Sequence, residues 1–233
     1  MEKTLTIIIP AFNEDATVAR VLQAVMGVNI PLDKQVIFID DGSTDNTARV
    51  LLDLKNSHPT ITIISHKMNG GKGAAIRSGL ERALGDIVLI QDADLEYDPA
   101  LYPKLIAPIL EGKADVVYGS RFTGSDPHRA QYFWHYFGNR LLTLLSNMFT
   151  NLNLTDMEVG YKVFQREALE NIKINENRFG FEPEITAKMA KKNLRIYEVG
   201  IPYYGRTYDQ GKKVTWKDGV AAIFAILRYN LFR

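Results

Sequence analysis

The chain has 233 residues, of which 46% are hydrophobic and 24% are charged, a balance typical of a globular protein with a large core. Its net charge of +1 argues against a broad nucleic-acid-binding surface, so we expect no nucleic-acid partner. The chain contains no cysteine, which excludes disulfides and thiolate metal sites.

Short apolar runs alternate with helical patterns along the first half of the chain. The runs are rich in β-branched residues and lie at residues 5–9, 36–39, 61–64, 87–90 and 116–118. They lack polar alternation, as expected for strands that are covered on both faces. Apolar residues at helical spacing lie between them, the first stripe being formed by Val18, Val21, Leu22 and Val25. This order predicts an α/β fold with a mostly parallel central sheet flanked by helices.

The second half of the chain is richer in aromatic residues and leucine, above all at residues 132–150. A strand is predicted at residues 194–199, and residues 219–233 form an apolar helical pattern. No linker marks a boundary, so we expect one domain over residues 1–233. The N-terminal segment lacks the features of a secretory signal peptide, and no apolar run reaches the roughly 18 residues of a membrane-spanning helix. We therefore expect a cytoplasmic protein.

Acidic residues follow two of the predicted strands. Asp40 and Asp41 come at the end of one, and Asp92, Asp94 and Glu96 follow another. An open α/β sheet has its ligand crevice at the carboxyl ends of its strands, where crowded acids repel one another unless a cation joins them. If the strand continues past residue 90, its alternation directs Asp92 and Asp94 to one side. Two carboxylates, waters and diphosphate oxygens then complete a Mg²⁺ or Mn²⁺ site, with Glu96 as a third ligand.

Two further segments near the predicted strand ends have more than one interpretation. Pro10, Asn13 and Glu14 follow the first strand, where helix capping is the simpler explanation. Lys72 lies in the glycine-rich segment 69–73, which lacks the spacing of a Walker A loop. This segment is either an anion contact or the glycine-rich start of a helix. Asp41, at a strand end, is placed to accept hydrogen bonds from a nucleoside.

Basic residues follow a strand and recur later in the chain. Arg121 comes directly after the predicted strand 116–118, while Arg206 and Lys212 lie in a later segment rich in polar residues. They either gather on phosphate groups, for which arginine geometry is well suited, or belong to a solvated basic loop.

Together these motifs resemble those of the inverting glycosyltransferases of family 2, which have the GT-A fold. The segments that occur in the order and spacing of that family lie at residues 10–14, 40–45, 69–79, 92–96 and 119–122. Residues 155–164 and 180–184 look like the dolichol-phosphate mannose synthase branch and its relatives, the polyprenyl-phosphate hexosyltransferases. The resemblance covers nearly the whole chain.

The resemblance implies transfer of mannose or glucose from a GDP- or UDP-linked sugar to a polyprenyl or dolichyl phosphate. By position, it implies a nucleotide pocket lined by Pro10, Asn13, Glu14, Asp41 and Asp92. It implies a Mg²⁺ or Mn²⁺ ion on the diphosphate, held by Asp92, Asp94 and Glu96. The residues that it implies in catalysis are Asp94, Arg121, Arg206 and Lys212. Lys212 aligns with the lysine of the R-x-x-G-x-S-K motif of the branch, whose glycine and serine are missing here, so the sugar and the nucleotide stay open.

The class of acceptor decides which groups the reaction needs. A sugar hydroxyl requires a general base, whereas a lipid phosphate is already anionic and requires positive residues that bring two anions together. Asp156 is then expected to position other groups rather than to act as a base. The helices at residues 132–150 and 219–233 either pack in the core or lie in the membrane interface. In the second case the protein is peripheral on the cytoplasmic face of a membrane.

Three other functions are compatible with part of this pattern. A family 2 enzyme with a saccharide acceptor in cell-surface polysaccharide synthesis stays open. A nucleotidyltransferase fits less well, because its glycine-rich, lysine-bearing signature should follow the first strand, where this chain has residues 10–14. A non-catalytic module that binds nucleotide sugars is disfavoured by the intact set of Asp92, Asp94 and Arg121.

Overall fold

The computed structural model describes residues 3–124, 132–204 and 216–232. The strands in these ranges are β1 (Thr4–Ala11), β2 (Asp33–Asp40), β3 (Thr62–Ser65), β4 (Ile87–Ile90), β5 (Val116–Ser120), β6 (Lys162–Gln165) and β7 (Ile196–Gly200). They form a seven-stranded sheet in the order β3-β2-β1-β4-β6-β5-β7.

Most neighbouring strands of the sheet run parallel. β1 pairs in this way with β2 and β4, β2 with β3, and β5 with β7. Among the described strands, β6 is the exception and runs antiparallel to β4 and β5. The predicted α/β fold with a mostly parallel sheet is therefore confirmed. The sequence patterns missed β6, because it has four residues of mixed polarity and resembles neither an apolar run nor an alternating strand.

The helices of the described ranges are α1 (Val18–Gly27), α2 (Thr47–Ser57), α3 (Lys72–Leu80), α4 (Tyr102–Leu110), α5 (Phe133–Thr150), α6 (Arg166–Leu169), α7 (Phe181–Lys191) and α8 (Trp216–Leu231). The stripe predicted on α1 is buried at all four of its positions, Val18, Val21, Leu22 and Val25. Burial of such a stripe, rather than helix propensity, supplies most of the stability of a helix in a protein.

The sheet has a core on each face. Along β1, Ile7 and Ile9 join the larger cluster, whereas Ile8 between them joins Ile37 and Val88 in a second one. Successive side chains of a strand point to opposite faces, so an unbroken apolar run is what a doubly covered strand requires. Helix α3 packs so closely on the second face that a Cβ at Gly79 would lie 2.5 Å from Ile8 Cγ2.

Helix α5 buries two polar side chains and exposes many apolar ones, while Leu142 and Leu145 pack half-buried against the core. Its buried residues are Thr143 and Ser146. Its exposed side chains include Phe133, Trp134, Tyr136, Phe137, Leu141, Leu144 and Met148. Helix α8 packs against α5 and α7 and leaves Val220, Phe224 and Leu231 exposed. Within the described ranges, none of the helices combines the length and the apolar character needed to cross a membrane.

Candidate active site

The polar segments identified in the sequence meet at one edge of the sheet. Ala11 at the end of β1 lies opposite Asp40 at the end of β2, and Ile90 at the end of β4 lies opposite Lys162 at the start of β6. Because β6 runs in the opposite direction, its amino end and the segment before it reach the edge formed by the carboxyl ends of the other strands. This is where an open α/β sheet binds its ligands.

Asp41 is buried and holds the glycine-rich segment in place. Its carboxylate accepts hydrogen bonds from the backbone amides of Gly70 (2.9 Å) and Gly71 (2.6 Å), and His66 Nδ1 lies 2.6 Å from Oδ1. Gly42 next to it has φ +69°, and a Cβ there would lie 2.5 Å from the backbone of Met68. Asp41 therefore shapes the wall of the crevice, and its contact with a nucleoside stays a prediction.

The segment after β1 is tied to the segment after β2. The side chain of Asn13, which has φ +53°, accepts a hydrogen bond from the backbone amide of Thr44 at 2.8 Å. The backbone amide of Glu14 donates to Thr47 Oγ1 at 2.8 Å, and the Glu14 carboxylate accepts from Thr17 at 2.8 Å. The contacts with Thr44 and Thr47 join this segment to the start of α2, so its role goes beyond capping α1. The placement of Pro10, Asn13 and Glu14 in a nucleotide pocket stays a prediction.

Asp92 is held by a lysine from α3. Lys72 Nζ lies 2.9 Å from Asp92 Oδ1 and 3.2 Å from its Oδ2, and 3.1 Å from Oε1 of Glu182 on α7. Burial lowers the pKa of Lys72, but the nearby charges of Asp92 and Glu182 outweigh that effect and raise it above its ordinary value. Both interpretations of the glycine-rich segment are seen: α3 begins at Lys72 directly after Gly71, and Lys72 contacts the carboxylate of Asp92, the predicted metal ligand.

The three predicted metal ligands do not converge as the strand pattern implied. β4 ends at Ile90, and Leu95 has φ +60°, so the chain turns instead of continuing the alternation that would align Asp92 with Asp94. Glu96 accepts a hydrogen bond from the Tyr203 hydroxyl at 2.7 Å, and its own backbone amide donates to Asp94 Oδ1 at 3.1 Å. The described residues contain no group of three His, Cys, Asp or Glu side chains able to hold a metal. The premise of an extended strand was wrong, and the assignment of Asp92, Asp94 and Glu96 to a metal stays a prediction.

A site of two carboxylates still fits a divalent ion that arrives with a diphosphate. Mg²⁺ is usually bound through one or two protein carboxylates together with waters and substrate phosphates. The Asp92 carboxylate already pairs with the ammonium group of Lys72. Gly160 leaves room for this carboxylate, because a Cβ there would lie 2.1 Å from Asp92 Oδ2. The donor chemistry of Asp92 and Asp94 therefore fits Mg²⁺ or Mn²⁺.

Arg121 follows β5, as predicted, and is fixed by a buried carboxylate. Its Nε and Nη2 each lie 2.7 Å from an oxygen of Asp156, and its backbone amide donates to the same residue at 3.0 Å. The guanidinium also lies 5.2 Å from the ring centroid of Tyr203. Glu198 on β7 in turn accepts from the backbone amides of Thr155 and Asp156. A bidentate pair of this kind fixes both charge and direction.

Sequence reasoning missed two buried ionisable residues, Glu158 and Lys162. Lys162 at the start of β6 donates to the carbonyl oxygens of Met157 and Val159, and burial lowers its pKa to about 8. Burial, together with the charge of Glu182, raises the pKa of Glu158 to about 8, and its Oε1 is buried without a hydrogen-bond partner among the described residues. The signal was two ionisable residues around a short strand, which cannot be distinguished from surface charge without the fold.

Two predicted residues, Arg206 and Lys212, lie outside the described residues, so their assignment to phosphate binding stays a prediction. Asp94 belongs to the same edge as Asp92, and its role in catalysis also stays a prediction. The sequence thus placed Asp41, Asp92 and Arg121 correctly at strand ends, whereas their internal partners Lys72, Glu182 and Asp156 emerge from the fold.

Comparisons with known proteins identify glycosyltransferases as relatives of this chain. Residues 6–173 match the family model described as Glycosyl transferase family 2. The low-salt glycan biosynthesis hexosyltransferase Agl6 of Haloferax volcanii is 30% identical over 208 residues, which cover 87% of this chain and 48% of Agl6, so the chain spans about half of that protein. The UDP-N-acetylglucosamine–dolichyl-phosphate N-acetylglucosaminyltransferase of Methanococcus voltae is 26% identical over 99% of this chain and 97% of its own length.

A solved structure shares the architecture. Glucosyl-3-phosphoglycerate synthase from Mycobacterium tuberculosis, in complex with Mn²⁺, UDP and phosphoglyceric acid, has a TM-score of 0.77 and 21% identity, over 99% of this chain and 80% of that one. At this identity the likeness concerns the fold alone.

Proposed function

This chain belongs to glycosyl transferase family 2 and has the GT-A fold, and from this premise we propose that it transfers mannose or glucose from a GDP- or UDP-linked sugar to a polyprenyl or dolichyl phosphate on the cytoplasmic face of a membrane. One observation carries the proposal. The carboxylate of Asp92 already holds a cation at the sheet edge where the buried guanidinium of Arg121 is fixed. Such an edge suits a reaction between two phosphate-bearing partners.

The donor diphosphate is assigned to the acidic side of this edge. Asp92 and Asp94 would hold a Mg²⁺ or Mn²⁺ ion, which neutralises charge on the leaving nucleoside diphosphate when it is bound. The wall formed by Asp41 and the Gly70–Gly71 amides, together with Asn13 and Glu14, bounds the space assigned to the nucleoside. The Methanococcus voltae relative carries UDP in its name, which supports a UDP-linked donor as the first to test.

Arg121 is assigned to the phosphates because its charge is fixed in direction. Asp156 occupies the Nε and Nη2 side of the guanidinium, so the Nη1 side faces away from that carboxylate. Both oxygens of Asp156 bind Arg121, and Asp156 has no exposed surface. A carboxylate bound in this way is a poor general base, because abstracting a proton would require breaking the pair. This supports a positioning role for Asp156 and an acceptor that is already anionic.

The exposed apolar surface of α5 and α8 is assigned to the membrane. The face of α5 that carries Phe133, Trp134 and Phe137 is aromatic, which is typical of helices that lie in the membrane interface. Arg140, which is exposed on the same helix, supplies positive charge that suits anionic headgroups. A polyprenyl phosphate is presented at such an interface, so enzyme and acceptor would meet there.

The donor and the acceptor are tested in sequence. A thermal-shift screen of nucleoside diphosphates with Mn²⁺ should identify the nucleotide, because a ligand raises stability according to its concentration relative to its dissociation constant. Turnover is then measured with the matching sugars, on a short-chain polyprenyl phosphate and on free saccharides. We expect product from the lipid phosphate, and Asp92→Asn should abolish turnover while the exposed control Asp53→Asn keeps it. Turnover on saccharides alone would favour the cell-surface polysaccharide function.

The membrane assignment has its own test by flotation with liposomes that contain anionic lipid. Trp134 and Leu84 are matched in exposure, at 76% and 75%, but Leu84 lies in the connection between α3 and β4, outside α5 and α8. We expect Trp134→Ser to reduce flotation and Leu84→Ser to leave it unchanged. Equal flotation of both variants and the unaltered protein would contradict the assignment.

A further inference from the structure

The ammonium group of Lys72 occupies the Asp92 carboxylate, which is the group assigned to the metal that arrives with the donor. Lys72 contacts both oxygens of Asp92, and the Asp92 side chain is 19% exposed, so it lies at the border between the crevice and the interior. A lysine ammonium has three donors, and two of its contacts here are on the carboxylate assigned to the metal. A divalent ion cannot share those oxygens with a full ammonium contact without strong repulsion between like charges.

A second acceptor for Lys72 is already in place. Glu182 Oε1 lies 3.1 Å from Lys72 Nζ, and the Glu182 side chain is 3% exposed. Its other oxygen, Oε2, is buried and has no hydrogen-bond partner among the described residues. A buried acceptor without a partner is uncommon and unfavourable, and it gains a partner if the lysine moves from Asp92 onto Glu182.

We propose that Lys72 is an exchangeable cation that holds Asp92 in the absence of metal, and that Glu182 is the positioning residue that receives it when a divalent ion binds Asp92. This inference rests on the proposed function, because it needs a metal on Asp92. In this exchange each of the carboxylates of Asp92 and Glu182 always has a cation in contact with it. The lysine thereby keeps the crevice folded before the donor arrives. A divalent ion must displace it from Asp92, so the lysine lowers the affinity of Asp92 for the ion.

An indirect role of Glu182 in metal binding requires Lys72, whereas a direct role does not. If Glu182 acts by receiving Lys72, its effect on metal affinity requires the lysine. If Glu182 only attracts the ion through its own charge, its effect is the same with or without the lysine. A double-mutant cycle distinguishes the two, because it isolates the interaction between two residues from their separate effects.

The experiment measures Mn²⁺ binding by the electron paramagnetic resonance signal of the free ion, without sugar donor and hence without turnover. Lys72→Met removes the competing cation and should lower the Mn²⁺ dissociation constant on the order of tenfold. Glu182→Gln removes the receiving charge and should raise the constant about fivefold. In the Lys72→Met background, the same Glu182→Gln change should alter it by less than about twofold.

A matched control removes an equal charge elsewhere. Lys113 pairs with Glu111 at the surface, where both side chains are more than half exposed. Lys113→Met should change the dissociation constant by less than about twofold, because solvent and salt screen an exposed charge that is paired at the surface. A comparable increase in affinity for Lys72→Met and Lys113→Met would show a general charge effect and overturn the exchange. So would an equal effect of Glu182→Gln in both backgrounds.

The unaltered protein offers a second measurement, which keeps the proposal falsifiable if Lys72→Met does not fold. In a crystal structure with Mn²⁺ and UDP or GDP, we expect Lys72 Nζ within hydrogen-bond distance of both Glu182 oxygens and beyond it from Asp92. A lysine still in contact with both Asp92 oxygens beside a bound ion would overturn the exchange. Absence of Mn²⁺ binding to the unaltered protein and to Lys72→Met would instead overturn the metal assignment itself, and the exchange with it.

Discussion

Two acids at neighbouring strand ends have partners of opposite kinds. Asp41, after β2, is held by the backbone amides of Gly70 and Gly71, whereas Asp92, after β4, is held by the side chain of Lys72. A backbone amide leaves only if the loop rearranges, while a lysine on a flexible stem can move to another acceptor. Similar carboxylates at one sheet edge thus have different roles: one is a fixed part of the wall, and the other is suited to exchange its cation.

The largest expected effect tests the fixed side of this comparison. Asp41→Ala leaves the amides of Gly70 and Gly71 without their acceptor, so we expect a loss of about 3 kcal/mol in the free energy of unfolding. The measurement is urea unfolding followed by circular dichroism. Asp53→Ala, at an exposed position of α2, should change stability by less than about 0.5 kcal/mol. A small loss for Asp41→Ala would remove the distinction between the two acids.

The next effect tests the exchangeable side. A Cβ at Gly160 would lie 2.1 Å from Asp92 Oδ2 and 2.8 Å from the ring of Tyr97, so Gly160→Ala must displace the Asp92 carboxylate. We expect a loss of about 2 kcal/mol in stability, typical of overpacking, and weaker Mn²⁺ binding in the paramagnetic resonance assay. Gly138→Ala is the control, because nothing lies within 4 Å of a Cβ there. Unchanged Mn²⁺ affinity in Gly160→Ala would contradict the assignment of Asp92 to the metal.

A smaller effect is expected for Glu198, which supports the ion pair of Asp156 and Arg121. Glu198 accepts hydrogen bonds from the amides of Thr155 and Asp156, and Asp156 fixes Arg121. Glu198→Gln keeps the shape but weakens these bonds, so kcat should fall about fivefold while KM for the nucleotide sugar stays nearly constant. Steady-state kinetics on the lipid phosphate give both values. An increase in KM at constant kcat would show that Glu198 affects donor binding instead of the position of Arg121.

The last prediction concerns the pH dependence of stability at two buried ionisable residues, Glu158 and Lys162. Glu158 has an ordinary pKa of 4.5 when unfolded and about 8 when folded, so between these values the folded protein binds more protons and stability falls as pH rises. Glu158→Gln removes this group, and its melting temperature should fall less than that of the unaltered protein between about pH 5 and about pH 8. Lys162, whose pKa burial lowers to about 8, acts above that range and in the opposite direction. Parallel melting curves for the two proteins would contradict the burial of a neutral Glu158.

The sequence predicted the parts of the fold that depend on local pattern. Apolar runs gave the parallel strands, and the polar residues after them gave the edge where Asp41, Asp92 and Arg121 lie. The pairing of these residues could not be predicted, because Lys72, Glu182 and Asp156 come from distant segments that only the sheet topology brings together. The turn after Ile90 was also missed. It includes a positive φ at Leu95, and because leucine rarely adopts a positive φ, the residue type does not indicate a turn there.

Helix α5 joins the candidate active site to the exposed apolar surface that we assign to the membrane. Thr143 accepts a hydrogen bond from the Met157 amide and Asn147 bonds the backbone of Leu154, so the helix holds the segment that contains Asp156. With its outer face on the bilayer, the reacting phosphates would stand at a fixed height above the lipid. Only the headgroup of an acceptor then has to rise to that height, while its hydrocarbon tail stays among the lipids. Such an enzyme would select its acceptor by headgroup and would use short and long polyprenyl chains at similar rates.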